Sequence, residues 1–156
     1  MNIDSATLFQ FIRYTLTGIL ATLIHIILFH LIGWKVFPAF KADDHIVRLF
    51  KLSTRFLDDA TRARNAVIGN CSAFLFANMV AYVTNILWVF HGGKYSFFME
   101  ILLFYLASGF SVILGSLLMG ILIKRLGLLT TYAFSVNIVT AVTINYVVRK
   151  FIIFQG

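Results

Sequence analysis

Carboxylates are scarce in this chain. Six acids stand among 156 residues, at Asp4, Asp43, Asp44, Asp58, Asp59 and Glu100, and none lies deep in an apolar run. A glycoside-processing enzyme sets carboxylates beside its substrate, and a proton-coupled exporter needs an acid within its first span. Both classes are disfavoured. There is also no Walker-type phosphate loop, no H-E-x-x-H and no plausible nucleophile–base pair, so neither an enzyme nor a cofactor is expected. The single cysteine, Cys71, rules out a disulfide framework and a finger-type metal site. It lies in an apolar run and reads as a small packing residue. The single proline, Pro38, falls just past the first apolar run and interrupts nothing. Charge as a whole is sparse, at 12% of residues, against about a quarter in soluble domains. That is too little to coat a water-facing surface.

Apolar residues make up 60% of the chain, so a membrane is the expected solvent. The net charge of +7 is carried largely by cations that flank apolar runs. Anionic lipid headgroups are therefore the expected counter-charge, and nucleic acid is not. Four charge-free runs stand out, giving spans at about 12–34, 66–90, 101–123 and 126–149. Each is long enough for the ~20 residues that a helix needs to cross ~30 Å of hydrocarbon. The first is too long for a signal-peptide core. The expected fold is all-α: one polytopic domain over 1–156 with four transmembrane helices. His91-Gly92-Gly93-Lys94 and Gly127 mark tight turns. Between Lys35 and Asn65 lie seven basic and four acidic residues. Ile46, Leu49, Phe50, Ser53, Leu57 and Ala60 recur there at helical spacing, which predicts an amphipathic helix in the interface over about 42–60.

The first span reads "FIRYTLTGILATLIHIILF", the second ends "ANMVAYVTNILWVF", and residues 145–154 near the C-terminus read "NYVVRKFIIF". Together these resemble the GtrA-like family of small four-span membrane proteins. An aromatic-Arg-aromatic opening leads to a glycine, and each two-helix half ends on an asparagine and a short segment closing on Phe. The two endings look like diverged copies. The resemblance implies that the chain moves polyprenyl-phosphate-linked sugars across the bacterial cytoplasmic membrane, for surface polysaccharides, or assists that movement. Two departures stand out: Ile86 and Leu87 follow Asn85 where the family usually has a basic residue, and the connection after the first span is long.

The few polar side chains in the spans can be weighed one by one. Asn78, Tyr82 and Asn85 share a face of span two. Asn137, Ala141, Asn145 and Arg149 follow one edge of span four. Thr15, Gly18, Thr22 and His25 share a face of span one. Ser108, Ser111 and Gly115 share one of span three, where Ser116 and Gly120 form a small-xxx-small pair. The small faces suit close helix packing. Unpaired amides in hydrocarbon cost several kcal/mol, so a polar lane between spans two and four is expected to use the asparagines, with His25, Tyr82 and Asn137 beside it. His25 suits a hydrogen-bonded packing role or proton carriage.

Given the resemblance, Arg13, Asn78, Asn85, Asn145, Arg149 and Lys150 are the candidate substrate-binding residues. Four crossings return the chain to its starting side, so Arg13, Arg149 and Lys150 can gather round one phosphate. Arg can grip phosphate in bidentate fashion, whereas Lys acts as a point charge. The plain alternative is that Arg149 and Lys150 anchor the helix end by snorkelling. Basic residues number four on the side of the termini and nine on the other. The charge bias and the resemblance thus favour opposite orientations. A second functional class is an accessory subunit that anchors or recruits a membrane glycosyltransferase, and a homodimer would help so small a protein to enclose a path.

Overall fold

The computed structural model describes residues 5–89 and 96–148. The elements are α1 (Ser5–Lys35), α2 (His45–Phe50), α3 (Asp59–Trp88), α4 (Phe97–Leu126) and α5 (Thr130–Val148), with no strand among the described residues. Three of them, over Ile12–Lys35, Asp59–Trp88 and Phe97–Leu126, are long and apolar enough to cross a membrane. The 19-residue α5 packs along α4. Large apolar side chains such as Ile27, Leu31, Phe110, Leu117 and Val139 stand exposed on the outside. In hydrocarbon those surfaces meet lipid, while every helix satisfies its backbone internally.

The helices pack in chain order, α1 on α3, α3 on α4 and α4 on α5. Aromatic contacts close the bundle. Phe134 of α5 stacks on Phe29 of α1 with centroids 3.8 Å apart and planes 8° from parallel, and both rings are buried. Met119 and Ile123 of α4 and Ala63, Ala66 and Ala73 of α3 fill the same core. The alanines keep α3 thin enough to pack closely on both α1 and α4. Gly127, in the left-handed region at φ 61°, caps α4 and turns the chain into α5.

The connection from Val36 to Asp58 departs from the sequence-based expectation. Its helical part is the six-residue α2, not a helix over 42–60. Lys51, at φ 50°, ends it in the left-handed region, and the chain from Leu52 to Asp58 carries no regular structure. The inward residue of α2 is Val47, while Leu49 and Phe50 stand exposed. The apolar spacing read as one face is therefore broken by the αL turn.

Tertiary hydrogen bonds strap this connection across one end of the bundle. Asn65 Nδ2 donates to Pro38 O at 2.7 Å, Trp34 Nε1 to Ser53 O at 3.1 Å, and the Thr130 hydroxyl to Ala39 O. Asp44 is fully buried. It begins α2, yet its side chain makes no cap bond there. Its carboxylate instead accepts the amide of Thr131 at 3.1 Å and the Thr131 hydroxyl. These satisfy one of the free N–H groups at the start of α5, where the helix dipole favours a negative charge.

α3 begins at Asp59 and not at Ala66, because Arg62 is paired rather than solvated. Its guanidinium, fully buried, reaches Asp59 at 2.5 Å, Leu128 O at 2.9 Å and the Thr130 hydroxyl at 3.1 Å. Lys41 adds a second cation to Asp59 at 3.1 Å and donates to Gly127 O at 3.3 Å. Asp58 caps the helix through the amides of Ala60 and Thr61. The Thr61 hydroxyl and amide hold its carboxyl below the usual carboxylate range.

Asp44→Ala is expected to lower unfolding stability in detergent by about 1.5–3 kcal/mol, the worth of hydrogen bonds to a charged group. Asp43→Ala, at an exposed neighbour, should stay within about 0.5 kcal/mol. Thermal or denaturant unfolding of the two variants measures the difference.

Candidate functional site

The centre of the bundle holds an amide that serves four helices. Asn70 of α3 is fully buried. Its Oδ1 lies 3.0 Å from His25 Nε2 of α1 and accepts Asn137 Nδ2 of α5 at 3.3 Å. Its Nδ2 donates to Ser116 Oγ of α4 at 2.7 Å. Small residues make this approach possible: a Cβ on Gly115 would overlap Asn137 Oδ1 and come within 3.1 Å of Asn137 O. Cys71 Sγ stands 4.0 Å from Ser116 Oγ, a packing neighbour of the same group. His25 is half-buried, with its ring edge-on to Phe134 at 5.6 Å and to Phe74 at 6.5 Å.

A second layer lies two turns further along α3. Asn78 is buried and accepts the Ser108 hydroxyl at 3.1 Å, while its Nδ2 has no partner among the described residues. Tyr82 is buried, with its hydroxyl 3.4 Å from Glu100 Oε2 at the start of α4. A third layer closes that end. Asn85 accepts the hydroxyl of buried Thr17 at 3.2 Å and donates to Ala81 O at 2.7 Å. Arg13 is exposed there, with its guanidinium 5.9 Å from the Trp88 ring centroid.

Buried amides thus run down α3 at Asn70, Asn78 and Asn85. They do not form one seam with α5. Asn70 meets Asn137, Asn78 turns to α4 and Asn85 turns to α1. Asn145 belongs to α5, eight residues past Asn137, the same step that separates Asn78 from Asn70. Arg149 and Lys150 lie outside the described residues, so a cationic cluster with Arg13 is not part of the described site. On α1, Thr15, Gly18 and Thr22 are exposed, a Cβ on Gly18 would meet nothing within 4 Å, and the Thr22 hydroxyl bonds back to Gly18 O at 2.9 Å. The buried hydroxyl of that helix is Thr17, which the periodic reading missed. It also missed Asn70, which has no polar neighbour three or four residues away on its own helix and finds its partners on three others.

The family model described as GtrA/DPMS, transmembrane domain, matches residues 13–154. The chain belongs to the GtrA/DPMS transmembrane domain family. No curated protein and no solved structure matches it. The three layers of polar contacts lie inside the GtrA/DPMS match, as does the strapped connection. Membership and three spanning-length helices make it a multi-pass membrane protein.

Asn70→Ala should lower stability by about 2 kcal/mol, since three interhelical contacts at ~0.6 kcal/mol each are lost. Gly115→Ala should lower it by about 1–3 kcal/mol through overpacking against Asn137. Unfolding in mixed micelles measures both. Parent-like stability of Asn70→Ala would contradict its central place.

Proposed function

We propose that this chain moves a polyprenyl-phosphate-linked sugar across the bacterial cytoplasmic membrane, with α5 as the fourth crossing and without making or breaking a covalent bond. Membership of the GtrA/DPMS family supports the reading, and the observation that carries it is Asn78. Its Nδ2 is buried and unpartnered among the described residues, in a setting where an unpaired amide is costly. A donor kept in that state suits a polar headgroup that passes through. Asn137 Oδ1, buried and likewise unpartnered, offers an acceptor one layer deeper. Together they supply a spare donor and a spare acceptor for phosphate oxygens and sugar hydroxyls.

In this reading Arg13, Arg149 and Lys150 receive the phosphodiester at one membrane face, and Asn85, Asn78 and Asn145 line its way inward. An unpaired anion in hydrocarbon is prohibitive, so cations at the mouth offset the charge before the headgroup enters. No energy source is required if the sugar is consumed on the far side, because net movement then follows consumption. The alternative is an accessory subunit that recruits a membrane glycosyltransferase. Purified protein alone in liposomes separates the two, since an accessory subunit moves no headgroup by itself.

Asn78→Leu is expected to slow translocation about tenfold or more, because a hydrogen bond to a charged group is worth ~1.5–3 kcal/mol. Its unfolding stability should change by less than about 1 kcal/mol, since one interhelical bond averages ~0.6 kcal/mol. Parent-like translocation by Asn78→Leu contradicts the reading. Arg149→Ala should likewise reduce translocation more than Lys124→Ala at equal abundance, with Arg149→Lys restoring part of it. Equal losses at Arg149 and Lys124 would reduce Arg149 to a membrane anchor.

A further inference from the structure

A cavity of about 470 Å³ opens at the end of α1, across the bundle from Arg13. Its walls include Trp34, Lys35, Phe40, Ser53, Thr54 and Arg55, and its lining holds no acid. Lys35 is the last residue of a span-length segment, so the cavity lies at the membrane boundary. A smaller cavity of about 280 Å³ adjoins it, with Phe40, Thr54 and Arg55 common to both.

The cavity is built rather than left over. Trp34 Nε1 donates to Ser53 O at 3.1 Å, which holds the segment of the connection carrying Ser53, Thr54 and Arg55 against α1. Lys35 Nζ lies 3.6 Å above the Trp34 ring centroid, fixed by a cation–π contact. Phe40 forms the inner wall because Gly33 has no Cβ, and one there would come within 3.0 Å of the Phe40 ring. Neither Lys35 nor Arg55 has an acid partner among the described residues. Two cations and two hydroxyls therefore line one concave space with no acid in its lining, Asp43 lining the adjoining cavity instead. A single anion with several oxygens matches that set of donors.

Apolar surface leads to the same place. Leu20, Leu23, Ile27 and Leu31 of α1 stand exposed on the flank that ends at Lys35, and exposed Val36 lines the cavity. A ligand with a phosphate head and an apolar tail would put the head among the cations and the tail along α1. A free phosphate would use only the first half of this surface.

We infer that the cavity binds the headgroup of an anionic phospholipid, held by Arg55 and Lys35 with Ser53 and Thr54 as hydroxyl donors. This site is separate from the amide column and does not depend on translocation. It ties the connection to one leaflet, at the end where Arg48 and Lys51 also stand exposed.

The test uses a Trp88→Phe background, which leaves Trp34 as the sole tryptophan and a reporter inside the cavity wall. Purified protein in detergent is titrated with short-chain phosphatidylglycerol, short-chain phosphatidylcholine and inorganic phosphate while Trp34 fluorescence is read. Saturable binding of phosphatidylglycerol is expected, at least tenfold tighter than either other probe. Arg55→Ala and Lys35→Ala should each weaken it at least tenfold, Arg55→Lys less, and Arg48→Ala, outside the cavity, should leave it unchanged. Circular dichroism checks that each variant keeps its helix content. Equal affinity for phosphatidylcholine, equal affinity for inorganic phosphate, no binding at all, or an Arg55→Ala variant that binds as the parent does would each overturn the inference.

Discussion

A carboxamide carried into hydrocarbon is costly unless it is paired, and Asn70 meets that cost with side chains from three other helices. The consequences run through the bundle. Pairing with His25, Ser116 and Asn137 fixes which edge of α1, α4 and α5 turns inward. Asn137 can approach only because position 115 is glycine. With Asn137 drawn in, Phe134 one turn earlier on α5 reaches Phe29 of α1 and stacks on it. Apolar contact between helices brings little net gain when lipid tails are equally apolar. Directional polar contacts and close packing therefore decide the arrangement.

The two ends of the bundle do different work. At one end the charged connection is held by buried ions: Arg62 with Asp59, and Asp44 with the first turn of α5. A buried cation stripped of water needs several acceptors, and Arg62 has a carboxylate, a carbonyl and a hydroxyl. This end is fastened. At the other end Arg13 is exposed beside Trp88, and the amide column of α3 ends beneath it at Asn85. In the translocation proposed above, the open end would admit the headgroup while the fastened end holds still.

The sequence made the helices legible because a run without charge has few other ways to exist in a chain this apolar. Asn78, Tyr82 and Asn85 were legible for the same reason, since polar residues at helical spacing in such a run mark one edge. The ends of the helices were not. Asp59 fell in the expected interfacial helix and Arg62 and Arg64 outside the second span, yet Arg62 is buried in α3 by partners more than sixty residues away. The connection misled in the opposite sense. Its apolar spacing suits a helix, but Lys51 in the left-handed region and the cap at Asp58 divide it. Asn70 gave no periodic signal, because its partners lie on three other helices and no local spacing encodes them.

The central claim is that Asn70 couples α3 to its neighbours, and a double-mutant cycle tests it most directly. Asn70→Ala, Asn137→Ala and the double variant are unfolded reversibly in mixed micelles beside the parent. A coupling of about 0.6 kcal/mol, and up to about 1.7, is predicted, the average and the maximum of interhelical hydrogen bonds measured in a membrane protein. A coupling indistinguishable from zero, with the two single losses simply adding, would contradict it.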